Sequence, residues 1–283
     1  MLFTMAMLGA VYLAFLTFLY YYTGISTMGM AIIAGGLLLV QYFYSDRLVL
    51  WSTGAREVSE SEAPELHSMV TRLCTIAGLP KPRIAIVNTR VPNAFATGRS
   101  QKASAVAVTS GIMQQLGRDE LEAVLAHELT HVKNRDATVM TIASFFSTIA
   151  FFLVRNILFF GGAYDRRSKD SGGSIVVVWL ISLLVWILSF ILIRALSRYR
   201  EFAADRGSAI ITGRPSHLAS ALMKISDISS RIPTQDLRRV EGSSTLNIVP
   251  ALSGQSVFNL FSTHPSTEAR IAALEKISRE MEA

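Results

Sequence analysis

His127-Glu128-Leu129-Thr130-His131 is the segment of this 283-residue chain whose residue types and spacing could do chemistry. On a helix, residues four apart share a face. His127 and His131 can therefore offer both imidazoles to one tetrahedral metal while Glu128 stands beside a water molecule as a base. That is the layout of a zinc-dependent peptidase. The chain has only five histidines, and chance placement gives ~0.004 such matches, so two unrelated surface histidines are a poor account of the motif.

Two histidines do not complete a catalytic zinc site, which takes three protein ligands and leaves a fourth position open. The other histidines are His67, His217 and His264. A carboxylate is the alternative, and Arg200-Glu201-Phe202-Ala203-Ala204-Asp205 follows directly on an apolar run. Glu201 and Asp205, four apart, share a helix face, so one could bind metal while the other orients a histidine or pairs with a base. Taken alone, this pair reads better as exposed charges on a surface helix. Asp136, five residues after His131, could brace a ligand histidine or simply pair with Arg135 or Lys133.

The elements that must position these residues are set by hydropathy. With 51% hydrophobic and 17% charged residues and a mean hydropathy of +0.38, the chain lies outside the soluble globular range. Residues 1 to 45 contain no Asp, Glu, Lys or Arg and are divided near Thr23–Thr27, which predicts two spanning helices at about 2–22 and 26–44. The absence of a basic leading region and the second apolar segment that follows argue against a cleaved signal. A third apolar run covers Ala137 to Val154 and continues past Arg155 to Phe160; a fourth covers Ser174 to Ile193, with Arg194 at its end. Arg155 and Arg194 sit where long side chains reach headgroups.

Arg47, Arg56, Lys133, Arg135, Arg198, Arg200, Arg206 and Arg214 lie on the motif's side, against Arg166, Arg167 and Lys169 on the other. By the positive-inside rule the motif and both termini face the cytoplasm, in a multi-pass protein of the cell membrane. A re-entrant third and fourth pair is the alternative, and it would remove the conflict posed by the three basic loop residues. If the motif helix runs on into the third segment, His131 and Glu201 both lie roughly 9–10 Å from the bilayer. A net charge of +6 suits an anionic leaflet, and nothing indicates a nucleic-acid module. The single cysteine, Cys74, has no metal-ligand neighbour and reads as core in a reducing compartment.

The expected organisation is a transmembrane hairpin (1–45), a first catalytic part with the motif helix (46–136), transmembrane helices three and four (137–196) and a second catalytic part with the third ligand (197–283). Residues 59–78 predict a helix ended by Gly78 and Pro80. Strands are expected at 83–88, 93–97 and 103–109, and helices at 112–116 and 120–135. Residues 228–256 read as a long loop, with a short helix near 235–239. The fold class is α+β: a mainly helical integral membrane protein with four transmembrane helices and a zincin-like cytoplasmic domain carrying a small sheet.

Taken together, His127-Glu128-Leu129-Thr130-His131 with Asp136, Glu201-Phe202-Ala203-Ala204-Asp205, and His264-Pro265-Ser266-Thr267 with Arg270 resemble the HtpX-type membrane zinc metalloproteases, relatives of the CaaX prenyl endopeptidases and of the gluzincin peptidases. The resemblance implies one zinc per subunit, held by His127, His131 and Glu201, with Glu128 as catalytic base. It implies that Asn93, Ala94, Phe95 and Ala96 form the edge strand beside which a substrate lies extended, although a hairpin strand with a buried Phe95 fits the sequence equally. His264 would stabilise the oxyanion, and Arg270 would fix a carboxylate such as Asp205. The implied function is cleavage of misfolded or damaged membrane proteins at their cytoplasmic side, alongside membrane quality-control partners. The alternatives are prenyl-protein processing, for which four segments are few, and an idle zinc-binding scaffold, which would need no base at Glu128.

Overall fold

The computed structural model describes residues 46–145, 172–231 and 265–282, with single positions between 7 and 43 and at 147 and 151. Outside the described residues lie nearly all of the first two apolar segments, the third beyond residue 151 with Arg155, the loop bearing Arg166, Arg167 and Lys169, residues 232–264 with the loop and short helix expected there, and His264. The chain divides into two compact units, Met1–Tyr42 with Val139–Leu196 and Phe43–Thr138 with Ser197–Ala283.

In the first unit Phe15, Ala143, Val185 and Leu196 are buried together. The fourth apolar run belongs to one 41-residue helix, α4 (Gly172–Thr212), numbered here in chain order after the helices introduced below. Among the described residues, its Trp179–Thr212 stretch is the one helix long and apolar enough to cross a membrane.

The second unit is built on a four-stranded mixed sheet in the order β1-β2-β4-β3. β1 (Arg56–Glu57) pairs antiparallel with β2 (Arg83–Val87), which runs parallel to β4 (Ala103–Thr109), and β3 (Ala94–Ser100) closes the sheet antiparallel to β4. The two-residue β1 was not expected, because two residues carry no alternating pattern. Side chains alternate between faces. Ile84, Ala94, Val106 and Val108 join the helix-side core, while Ala85, Val87, Phe95, Ala105 and Ala107 pack with Leu50 on the other face.

Helix α1 (Pro64–Ala77) begins later than the expected residue 59. The Ser59 N–H donates to Glu62 at 2.8 Å, closing a turn, and Pro64 suits the first helical position because it has no N–H to leave unpaired. Gly78, at φ 67°, ends the helix in the left-handed conformation, with Leu79 N–H returning to Cys74 O. Helices α2 (Ser110–Gln115) and α3 (Arg118–Lys133) each start about two residues before the expected boundary. α5 (Pro215–Arg231) extends four residues into the segment expected to be loop, and α6 (Thr267–Glu282) carries Arg270 of the C-terminal motif.

Helix α3 does not run straight on into the third apolar segment, the condition on which the common height of His131 and Glu201 depended. It ends at Lys133, Arg135 adopts φ 56°, and helix resumes over residues 136–145. A non-glycine residue in the left-handed region interrupts the helix at that point.

Candidate metal centre and edge strand

Helix α3 presents both histidines of the motif and is held from several sides. Glu120 in its first turn accepts the Gly117 N–H at 2.9 Å, the Ser220 hydroxyl at 2.6 Å and the Lys224 ammonium at 2.8 Å. Farther along, Ser208 of α4 donates to Ala123 O at 2.7 Å. These bonds tie α3 to α4 and α5, so the spacing of the histidines becomes a fixed position in space.

The imidazoles of His127 and His131 and the carboxylate of Glu201 converge. The two Nε2 atoms are 3.2 Å apart; His127 Nε2 lies 3.6 Å from Glu201 Oε2 and His131 Nε2 3.6 Å from Oε1. A tetrahedral zinc with bonds of about 2.0–2.1 Å takes ligand atoms about 3.4 Å apart, and one ligand atom from each of the three residues lies within 4.8 Å of the others, so the group fits one ion. No other group of three or more His, Cys, Asp or Glu side chains among the described residues is arranged to hold a metal.

Both histidines turn Nδ1 away from this point and onto a carboxylate. His127 Nδ1 is 3.0 Å from Asp205 Oδ1, and His131 Nδ1 is 2.6 Å from Asp136 Oδ2, which leaves the two Nε2 atoms for the metal. Each carboxylate in turn meets an arginine. Arg270 donates to Asp205 through Nε at 2.9 Å and Nη2 at 2.6 Å, and Arg200 Nε lies 3.2 Å from Asp136. Of the two roles left open for Asp136, the structure shows contact with His131, and its cation is Arg200 rather than Arg135 or Lys133. The pairing of Arg200 with Asp136 was not foreseen, because the left-handed turn at Arg135 that precedes Asp136 leaves no sign in the sequence.

Burial alone would lower the pKa of His127, but the carboxylates of Asp205 and Glu201 outweigh it and hold the metal-free imidazole up to about 9. Burial raises Glu128 above the ordinary carboxylate range, opposed by the neighbouring His127 and His131. Such a carboxyl is suited to taking a proton and giving it back.

The backbone of Ala96 on β3 faces Glu128 and favours its charged form. This contact joins the motif to β3, the outermost strand of the sheet. Ala94 is wholly buried on the helix side, and its small side chain, like that of Ala96, allows α3 to approach. Phe95 is 4% exposed and packs on the opposite face, so its side chain is core. Asn93 is fixed by its backbone: its N–H donates to Thr109 Oγ1, and its carbonyl accepts the Thr109 N–H, both at 2.9 Å.

At the start of α6, Ser266 caps the helix by accepting the Ala269 N–H at 3.2 Å. One turn on, Arg270 is 1% exposed and its Nη1 is 3.6 Å from Glu201. The Pro-Ser-Thr part of the C-terminal motif thus starts the helix that delivers this arginine. His264 lies outside the described residues.

The family model of peptidase family M48 matches residues 60–278, a span that includes every described residue of the site. The chain belongs to peptidase family M48. It is 64% identical to "Protease HtpX homolog 2" of Methanosarcina acetivorans over 99% of this chain and 95% of that one. It is 57% identical to "Protease HtpX homolog" of Moorella thermoacetica over 100% and 94%. The crystal structure of Ste24p from S. mikatae shares the fold, with a TM-score of 0.59 at 18% identity over 94% of this chain and 62% of that one. With this family, the chain is a zinc-dependent membrane metalloprotease, and the triangle of His127, His131 and Glu201 is where its residues fit zinc.

Proposed function

We propose that this protease hydrolyses extended, unfolded segments of membrane proteins, laid along β3 and cut at the cytoplasmic side of the cell membrane. The observation that carries this reading is the placing of the His127, His131 and Glu201 group on a helix whose Glu128 faces the Ala96 backbone of an edge strand. A chain that adds to a sheet edge is recognised through its backbone, with little demand on side chains. This suits damaged proteins and a role in quality control with other membrane components.

His127, His131 and Glu201 would hold zinc, which when bound acidifies a water and polarises the scissile carbonyl. Glu128 takes a proton from the attacking water and returns it to the departing amide nitrogen as the C–N bond breaks. Asp205 and Asp136 keep the two imidazoles turned to the metal, and Arg270 fixes Asp205. His264 donates a hydrogen bond to the oxyanion. The wider arrangement is four membrane-spanning segments, with a hairpin at 1–45 and helices within 137–196, between two halves of one cytoplasmic catalytic domain.

The test is proteolysis of an unfolded membrane-protein substrate and of a soluble unfolded chain, both with the full-length enzyme in liposomes. Cutting by the wild type that stops on chelation and returns with zinc, and that Glu128→Gln lowers by about 10²–10⁴ with zinc retained, is expected. Full activity in Glu128→Gln would remove Glu128 as the base. Cutting of soluble chains alone would defeat the proposed substrate class.

A further inference from the structure

The site contains two chains of the same chemical order, imidazole to carboxylate to guanidinium, and they differ in enclosure. In His127–Asp205–Arg270 the side chains are 1%, 0% and 1% exposed. In His131–Asp136–Arg200 they are 13%, 2% and 13% exposed. The second chain also follows a break: Arg135 at φ 56° interrupts the helix between His131 and Asp136. In an unbroken helix, five residues would separate the two by about 140° around the axis and about 7.5 Å along it. Asp136 meets His131 at 2.6 Å only because the backbone turns there.

We propose that Arg200 is a positioning residue: through Asp136 it holds His131 onto the metal and sets how fast zinc leaves the site. Arg200 adjoins Glu201 on α4 and is turned about 100° from it. One helix therefore supplies the third metal ligand and the cation that steadies the carboxylate behind the second. Its contact with Asp136 is an ion pair at 3.2 Å with no hydrogen bond from Nε, so an ammonium that keeps the charge on a differently shaped side chain replaces it in part. The partly open chain is the side on which a ligand swings away first, and the sealed His127–Asp205–Arg270 chain is the side that stays. This rests on the assignment of His127, His131 and Glu201 as metal ligands.

The experiment measures zinc release to a chromophoric chelator from the full-length protein in detergent, with Glu128→Gln as background to prevent self-digestion. Arg200→Gln is expected to release zinc about 10–100-fold faster, and Arg200→Lys to recover part of that. The melting temperature of the metal-free protein should stay within about 2 °C of its parent in both. Release unchanged in Arg200→Gln overturns the proposal, as does faster release matched by a fall in metal-free melting. His127→Ala retaining stoichiometric zinc would instead overturn the ligand assignment beneath it; zinc lost there but released normally from Arg200→Gln would defeat the role of Arg200 alone.

Discussion

Gly207 of α4 is seated against Thr130 of α3, so closely that a Cβ on Gly207 would lie 2.3 Å from Thr130 Cγ2 and 2.5 Å from its Oγ1. Thr130 lies within the metal motif and Gly207 two residues after Asp205, so this contact sets the separation between the helix of the histidines and the helix of Glu201. Gly207→Val should push them apart, costing about 1–3 kcal/mol of stability and lowering zinc occupancy. Gly207→Ala should do so more mildly, and Thr130→Ala in the same chain should restore part of the loss, since it removes the two nearest atoms. Melting temperature and zinc content of the four proteins decide the matter; a Gly207→Val protein with wild-type zinc content would mean that the helices do not need this separation.

Much of this site was legible because its spacing is local. The His127–His131 and Glu201–Asp205 pairs are both four apart and need only a helix to share a face, and the apolar run leading to Glu201 marks that helix. Residues brought together by a departure from regular backbone were not legible. Arg135 has no sequence sign of a left-handed φ, which usually belongs to glycine or asparagine, so the sequence leaves Asp136 open between bracing His131 and pairing with Arg135 or Lys133. Arg200 was visible only as an orientation charge. Helix ends shifted where a side chain competed with the backbone, as Glu62 does at Ser59.

The turn at Arg135 yields its own test. Holding a non-glycine residue at φ 56° costs about 1–2 kcal/mol. Arg135→Gly should leave stability within about 1 kcal/mol of wild type, strain relief offsetting the greater freedom of the unfolded chain. Arg135→Val, whose branched Cβ fits that region poorly, should destabilise by at least ~1–2 kcal/mol and move Asp136 off His131, so that zinc is lost more readily. Equal melting and equal zinc retention in the two variants would show that the left-handed turn is not what seats Asp136.

Gly98 governs the far end of β3, the proposed substrate edge. It sits at φ 134°, where a Cβ would come within 2.3 Å of Ala103 O, and the β3–β4 register shifts between Gly98 and Ser100. A side chain there forces β3 away from β4 or removes the bulge, while the metal triangle on α3 and α4 is untouched. Gly98→Ala should therefore lower kcat/KM for an extended peptide by about 10-fold or more, the effect of a misplacement on the order of 1 Å, with zinc content unchanged. Loss of zinc in parallel would show that β3 supports the metal site as well as the substrate.

Cys74, the single cysteine of the chain, gives a reporter for α1. It is 2% exposed in the helix-side core, and burial raises its thiol from 9.0 to about 11. The folded pKa lies above the unfolded one. The stabilisation from keeping the thiol neutral is thus complete below about pH 9 and is lost as pH rises through about 11. At pH 8 the folded protein should hold on the order of 100-fold fewer thiolates than an unfolded chain, and burial slows attack further. Iodoacetamide labelling followed by mass spectrometry should be slow in the native protein, quicken with added denaturant at the point where the catalytic unit melts, and show no early phase. Rapid labelling under native conditions would mean that α1 opens while the rest of the catalytic unit stays folded.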